Sequence, residues 1–236
     1  MDSSAPADRR REKRAAARAA VGEVSEGMIV GIGTGSTVAF AIEALAERCR
    51  QGLRITAVAT SLETASLAAR SGIDIRDFSA LSMVDLCIDG VDEIDPAFRA
   101  IKGAGGAMLR EKIVAQAARR MVAIADSRKR VDRLGMAPLP IEILAFARGT
   151  VADRLEKLGG TPTVRRTSAG DIFQTDQGNP VLDCAFGPFP APEELDRALS
   201  RIPGVVGTGL FLGEIDALYL GRGDCAEKHE RKASPS

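Results

Sequence analysis

The chain has 236 residues, 45% of them hydrophobic, with 32 basic and 32 acidic side chains that cancel to a net charge of zero. That balance excludes a fibrous or disordered chain and leaves no global field to draw in nucleic acid or an anionic membrane, so any anionic ligand must be recognised locally. No apolar run is long enough to span a bilayer, and MDSSAPADRRREKR is not followed by the apolar core of a secretory signal, so a cytoplasmic protein is expected.

The four cysteines, Cys49, Cys87, Cys184 and Cys225, are widely spaced, and His229 is the only histidine. No zinc-site spacing is present, and Ser-His-Asp chemistry and HExxH metal sites are out of reach. The expectation is therefore reduced, mostly buried thiols, no metal and no cofactor. Carboxylates and lysines must carry any proton transfer.

Taken in order, residues 1–8 read as a loose tail and residues 9–24 as a helix rich in Ala, Arg and Lys. Its basic cluster of Arg9, Arg10, Arg11, Lys13 and Arg14 is a solvated face, or lends one member to a phosphate. MIVGIGTGST then reads as strand and tight turn, with helical periodicity following through Val38, Ile42 and Leu45. The turn fails as a dinucleotide fingerprint because Ser36 stands where the third glycine belongs, and it fails as a P-loop because no lysine follows. Two readings remain for Thr34, Gly35, Ser36 and Thr37. They cradle a phosphomonoester at the positive end of a helix dipole, or the glycines make the turn and a hydroxyl caps the helix.

A strand over 54–61, a short helix over 62–71, a possible strand over 73–78 and the strand MVDLCIDG come next. A helix from Ala107 and the strand MVAIA follow, the latter ending at Asp126 and Lys129. This alternation predicts a Rossmann-like parallel sheet with helices on both faces and its polar loops at the carboxyl edge. Beyond the prolines at 138 and 140 the texture changes to a βαββα-like order, which predicts a smaller inserted α+β, ferredoxin-like domain serving as lid, scaffold or oligomer contact. The expected boundaries are 9–135 with 207–223 for the α/β domain, 136–206 for the small domain, and a polar tail over 224–236.

The stretch over 85–112, DLCIDGVDEIDPAFRAIKGAGGAMLREK, gathers Asp89, Asp92, Glu93, Asp95, Lys102, Arg110, Glu111 and Lys112 around a glycine-rich turn. It reads either as a solvated acidic loop before an ordinary helix or as an active site. Its place at the same sheet edge as GIGTGST and the Thr60-Ser61 pair favours the second.

GIGTGST, ATSLET, DGVDEID, KGAGGAMLREK, IADSRK and PLPIEIL, in this order, closely resemble the type A ribose-5-phosphate isomerases over nearly the whole chain. The resemblance implies metal-independent interconversion of D-ribose 5-phosphate and D-ribulose 5-phosphate in the pentose phosphate pathway by a homodimer or tetramer. It implies Glu111 as general base, with Asp89, Asp92 and Lys102 as the other catalytic residues. Thr34, Gly35, Ser36 and Thr37 match its phosphate-binding turn, and Gly103, Gly105 and Gly106 match its glycine loop. Lys13 is a further phosphate candidate, and Lys129 matches a lysine at the edge of that site. Ala104 stands in what is usually an unbroken glycine run, and Val91 where alanine is common.

Two other functions compete. A related isomerase or deaminase of amino sugar phosphates would use a histidine for ring opening. A sugar-phosphate-sensing module need not keep a base.

Overall fold

The structure, a computed structural model, describes residues 6–232. In chain order its elements are α1 (Pro6–Val21), β1 (Ile29–Ile32), α2 (Ser36–Arg50), β2 (Thr56–Ala59), α3 (Leu62–Arg70), β3 (Leu86–Gly90), β4 (Glu93–Ile94), β5 (Ala100–Ile101), α4 (Met108–Gln116) and β6 (Met121–Ala125). There follow β7 (Leu139–Ile143), α5 (Arg148–Lys157), β8 (Thr161–Val164), β9 (Val181–Ala185), α6 (Pro192–Leu199), β10 (Val205–Thr208), β11 (Leu210–Phe211), β12 (Ala217–Arg222) and β13 (Cys225–Glu230). They divide into two compact units. The first runs up to Val91 and adds Arg110–Arg130 and the chain from Glu214; the second is Asp92–Leu109 with Val131–Gly213.

The first unit is a six-stranded sheet in the order β13-β12-β6-β3-β1-β2, parallel except for β13. The inner strands β1, β3 and β6 are short and almost wholly buried, as sheets covered on both faces require. The period-2 alternation sends Val30 and Ile32 to one face, where they pack with Ala16 and Ala20 of α1 and Ile42 and Leu45 of α2. Gly31 points to the other face, where a Cβ would lie 2.6 Å from the Val114 side chain of α4. Helices therefore cover both faces. The parallel register brings the ends of β1, β2, β3 and β6 to one edge, as the alternating pattern predicts.

The second unit contains β7-α5-β8-β9-α6-β10, with the antiparallel sheet ordered β10-β7-β9-β8, which is the ferredoxin-like arrangement. Ile141, Ile143, Leu182 and Cys184 face Val151 and Leu155 of α5 and Leu199 of α6. A small antiparallel sheet, β11-β5-β4, joins 210–211 to 93–101.

Several boundaries differ from the sequence reading. Residues 92–109 and 131–135, expected in the α/β domain, belong to the second unit because β5 pairs with β4 and β11 and Val131 N–H bonds to Ile94 C=O. For the same reason the chain returns to the first unit at Glu214 rather than at 207. Residues 73–78 contribute one isolated bridge, Ala57 to Ile75, in place of a strand. The stretch expected as a tail from Asp224 carries β13, which pairs along all of β12 through a two-residue Gly223-Asp224 turn. Its charged sequence CAEKHE hides the strand, because a solvated edge needs no apolar alternation. At the other end, residues 1–5 of the expected 1–8 tail lie outside the described residues, and Pro6 to Asp8 already belong to α1.

Candidate active site

At the end of β1 the chain turns through Gly33, Thr34 and Gly35 into α2. Gly33 is dictated by close approach, since a Cβ there would sit 1.9 Å from the Asp89 carboxylate. Gly35 is dictated by its backbone, with φ at 110° in the region where side chains are strained. Asp89 is fully buried at the end of β3, and its Oδ1 accepts from Thr34 N–H at 3.1 Å and Gly90 N–H at 2.7 Å. One carboxylate oxygen therefore fixes the turn.

The Thr34 hydroxyl is engaged inward, 2.9 Å from both Thr60 Oγ1 and Ser61 Oγ, and Thr64 Oγ1 donates to Gly33 C=O at 2.9 Å. Thr60 and Thr64 thus tie the β1 turn to the end of β2, a role with no local sequence signal. Ser61 caps α3 by accepting from Thr64 N–H. No side chain caps α2, so the capping alternative for Ser36 and Thr37 is not realised. Gly35 and Ser36 are exposed and Thr37 is half-buried, which leaves the positive end of this helix facing outward.

Lys13 of α1 donates to Ser36 Oγ at 2.8 Å. Burial lowers the Lys13 ammonium below the ordinary lysine value; Asp126 pulls against this, while Lys129, Arg128 and Arg9 add to the lowering. Cations from two segments therefore crowd one helix start. Lys129 is presented by a short turn whose Asp126 side chain accepts from Arg128 N–H at 3.2 Å. Glu12 holds the same turn through Ser127 N–H at 3.0 Å and Ser127 Oγ at 2.9 Å, a function its place in a basic helix conceals. Glu111, 3% exposed, occupies the first turn of α4.

In the second unit the three acids of the 85–112 stretch, Asp92, Glu93 and Asp95, divide by task. Glu93 accepts from Gly135 N–H at 2.8 Å and from Ala137 N–H. Asp95 accepts from Ala97 N–H at 2.9 Å and Arg99 N–H at 3.0 Å, and pairs with the Arg99 guanidinium at 2.7 Å. Asp95 is thus occupied with its own turn, and Glu93 with the distant backbone of residues 135–137. Asp92 is half-buried, and its Oδ2 accepts from Ala104 N–H at 2.9 Å.

Lys102, at the end of β5, is 2% exposed, with its Nζ 5.3 Å from the Phe211 ring centroid. Behind it Gly103 (φ 100°) lies where a Cβ would meet Met108, and Gly106 (φ 78°) where a Cβ would strike the Phe173 ring. Ala104 and Gly105 are exposed. Ala104 does not adopt the left-handed backbone, since Phe98 is the only non-glycine with positive φ among the described residues, so the extra methyl is accommodated. Val91 is buried. Of the expected catalytic residues, Asp89 and Glu111 lie in the first unit and Asp92 and Lys102 in the second.

Among the described residues no group of three His, Cys, Asp or Glu is arranged to hold a metal. The Cys184 thiol is pushed up to about 12 by burial, the opposite of nucleophile activation. His229 lies on β13 opposite Leu218, on the outermost strand of the sheet, with β12 and β6 between it and Asp89 of β3.

Comparison with known proteins decides the family. Residues 56–225 match the family described as ribose 5-phosphate isomerase A (phosphoriboisomerase A). The chain belongs to this family. Ribose-5-phosphate isomerase A of Sphingopyxis alaskensis is 53% identical over 93% of this chain and 96% of its own, and that of Gluconobacter oxydans is 47% identical over 92% and 96%. Among solved structures, ribose 5-phosphate isomerase from Plasmodium falciparum superposes with a TM-score of 0.90 at 32% identity, covering 95% of this chain and all of its own. A D-ribose-5-phosphate isomerase in complex with phospho-erythronic acid also superposes at 0.90, with 32% identity over 93% and 98% of the two chains.

Proposed function

We propose that the chain is a metal-independent aldose-ketose isomerase that interconverts D-ribose 5-phosphate and D-ribulose 5-phosphate through an enediolate. The observation that carries the mechanism is Glu111, a carboxylate buried in the first turn of α4, where the helix dipole favours its ionised form. It takes the proton from C2 of the open-chain aldose and returns it to C1, while the hydroxyl proton on O2 passes to O1. Lys102 supplies positive charge to the oxygens as the enediolate forms. Asp92 and Asp89 hold sugar hydroxyls and assist ring opening, and Asp89 also keeps the phosphate turn in shape.

The start of α2 receives the phosphate, with Lys13, Ser36, Thr37 and Lys129 around it. Gly103, Gly105 and Gly106 bring backbone close to the sugar. Incubation of the purified protein with ribose 5-phosphate and EDTA should yield ribulose 5-phosphate at the rate found without chelator. A chelator-sensitive reaction, or none, would overturn this reading.

A homodimer is the proposed working form, supported by the fully exposed Phe146 and the half-exposed Leu144 beside it. Light scattering on the wild type and Phe146→Ser tests it. The cytoplasm is the proposed compartment; among the described residues no helix is long and apolar enough to cross a membrane.

A further inference from the structure

We infer that Arg165, in the ferredoxin-like part of the second unit, is a positioning residue for Asp92 that acts through the Gly103-Ala104 peptide plane. The inference rests on the isomerase reading of that loop. Arg165 follows β8, and its Nη1 donates to Gly103 C=O at 2.9 Å and Ala104 C=O at 3.1 Å. The other edge of the guanidinium is bound by Asp183 of β9, with Nε to Oδ2 at 2.8 Å and Nη2 to Oδ1 at 2.5 Å. Its carbon lies 5.6 Å from the Phe173 ring centroid, and that ring fills the space beside Gly106 that a Cβ would need. A guanidinium held on one edge and one face presents its remaining donors in a fixed direction.

A trans peptide is planar, so its C=O and the following N–H point in opposite directions. Gly103 C=O is bound on one side by Arg165 and by Gly106 N–H at 2.9 Å. On the other side the N–H of the same peptide, that of Ala104, reaches Asp92 Oδ2 at 2.9 Å. Turning this plane would break all three bonds. The orientation of the Asp92 carboxylate is therefore set, through one rigid unit, by a side chain 62 residues from Gly103. Lysine cannot take the place of Arg165, because a single ammonium does not span two carbonyls and a bidentate carboxylate in one plane.

The test compares wild type, Arg165→Ala, Arg165→Lys, Asp183→Asn and Asp92→Asn. Arg165→Ala should fold with an unchanged circular dichroism spectrum and lose about 10- to 100-fold in kcat, the scale of a misplacement of about 1 Å, with KM changed far less. Arg165→Lys should be as impaired, and Asp183→Asn should fall between them and wild type. Added guanidinium ion should restore part of the kcat of Arg165→Ala and none of that of Asp92→Asn. Hydrogen exchange at the Ala104 amide should accelerate in Arg165→Ala, a readout independent of turnover.

Wild-type kcat and unchanged Ala104 exchange in a folded Arg165→Ala would overturn the inference. Should that variant fail to fold, the same result in Arg165→Lys and Asp183→Asn would do so. A wild type that leaves ribose 5-phosphate unconverted sinks the isomerase reading itself; faster Ala104 exchange alone would then make the contact structural.

Discussion

The residues assigned to the phosphate and those assigned to the sugar are held by opposite means. The β1-α2 turn is fixed by groups at its own sheet edge: Asp89 on two N–H groups, the Thr60, Ser61 and Thr64 hydroxyls, and glycines with no room or no permissible φ for a side chain. The glycine loop of the second unit is fixed by side chains far away in sequence, Arg165 with Asp183 and the Phe173 ring. An anion that a helix end can attract needs little further shaping. Sugar hydroxyls and a transient enediolate need groups aimed at particular atoms, and the long-range clamps supply that aim.

The comparison is broken most severely by removing the groups assigned to chemistry. Glu111→Gln should keep its fold and its affinity for sugar phosphate yet lose about 100- to 10,000-fold in kcat, the usual weight of a general base. A single-turnover assay beside a direct binding titration separates the two, and near-normal turnover would remove Glu111 from its role. Lys102→Met nearly preserves side-chain volume while deleting the buried cation. It should lower kcat by about 100- to 1,000-fold, as loss of an oxyanion-stabilising donor does, with a smaller change in KM. A rise in KM alone would reassign Lys102 to substrate binding.

The legibility of these two regions in the sequence follows the same division. GIGTGST announces a strand-to-helix turn because an apolar run, a glycine with a backbone of its own and a helical period follow one another directly in the chain, although the close approach that dictates Gly33 comes from Asp89; the parallel sheet follows from alternating apolar runs. Asp89 and Asp92 could be singled out from Glu93 and Asp95 only through family resemblance. All four sit in one acidic run, and each accepts at least one backbone N–H, so charge and hydrogen bonding alone do not sort them. Arg165 and Asp183 leave no trace, since one follows a short strand and the other lies within one, and the carbonyls that Arg165 holds are about 60 residues upstream. The pairing of residues 92–109 within the second unit is illegible for a related reason: β4 and β5 are two residues each, too short for any periodicity to register.

On the phosphate side the expected effects are smaller. Lys13→Met removes the charge-assisted contact at Ser36 and one cation from the start of α2. It should raise KM for ribose 5-phosphate by about 10- to 100-fold, the scale of a hydrogen bond to a charged group, while kcat changes little. Because burial holds Lys13 below the ordinary lysine value, a bound dianion should raise it again. Binding should therefore weaken as pH rises into the alkaline range in wild type and lose that component in Lys13→Met, which calorimetry in buffers of differing ionisation heat can read.

The smallest effect on turnover should come from the opposite edge of the same sheet, where charged side chains are arranged for stability alone. Burial works against ionisation of Glu23, but hydrogen bonds from Arg120, Tyr219 and Lys228 outweigh it and bring the carboxyl down to about 2. A carboxyl whose folded value lies below its unfolded one stabilises fully above the unfolded value, and the contribution fades as pH falls through the folded one. Glu23→Gln should therefore cost about 2 kcal/mol in urea unfolding at pH 7, with the gap to wild type narrowing between about pH 4.5 and pH 2. Its kcat and KM should match wild type, since Glu23 and Arg120 precede β1 and β6 whereas Asp89 lies at the end of β3 and Lys129 follows β6. A loss of turnover in the folded variant would mean that the two edges are coupled through the sheet, and the phosphate turn would then no longer count as locally held.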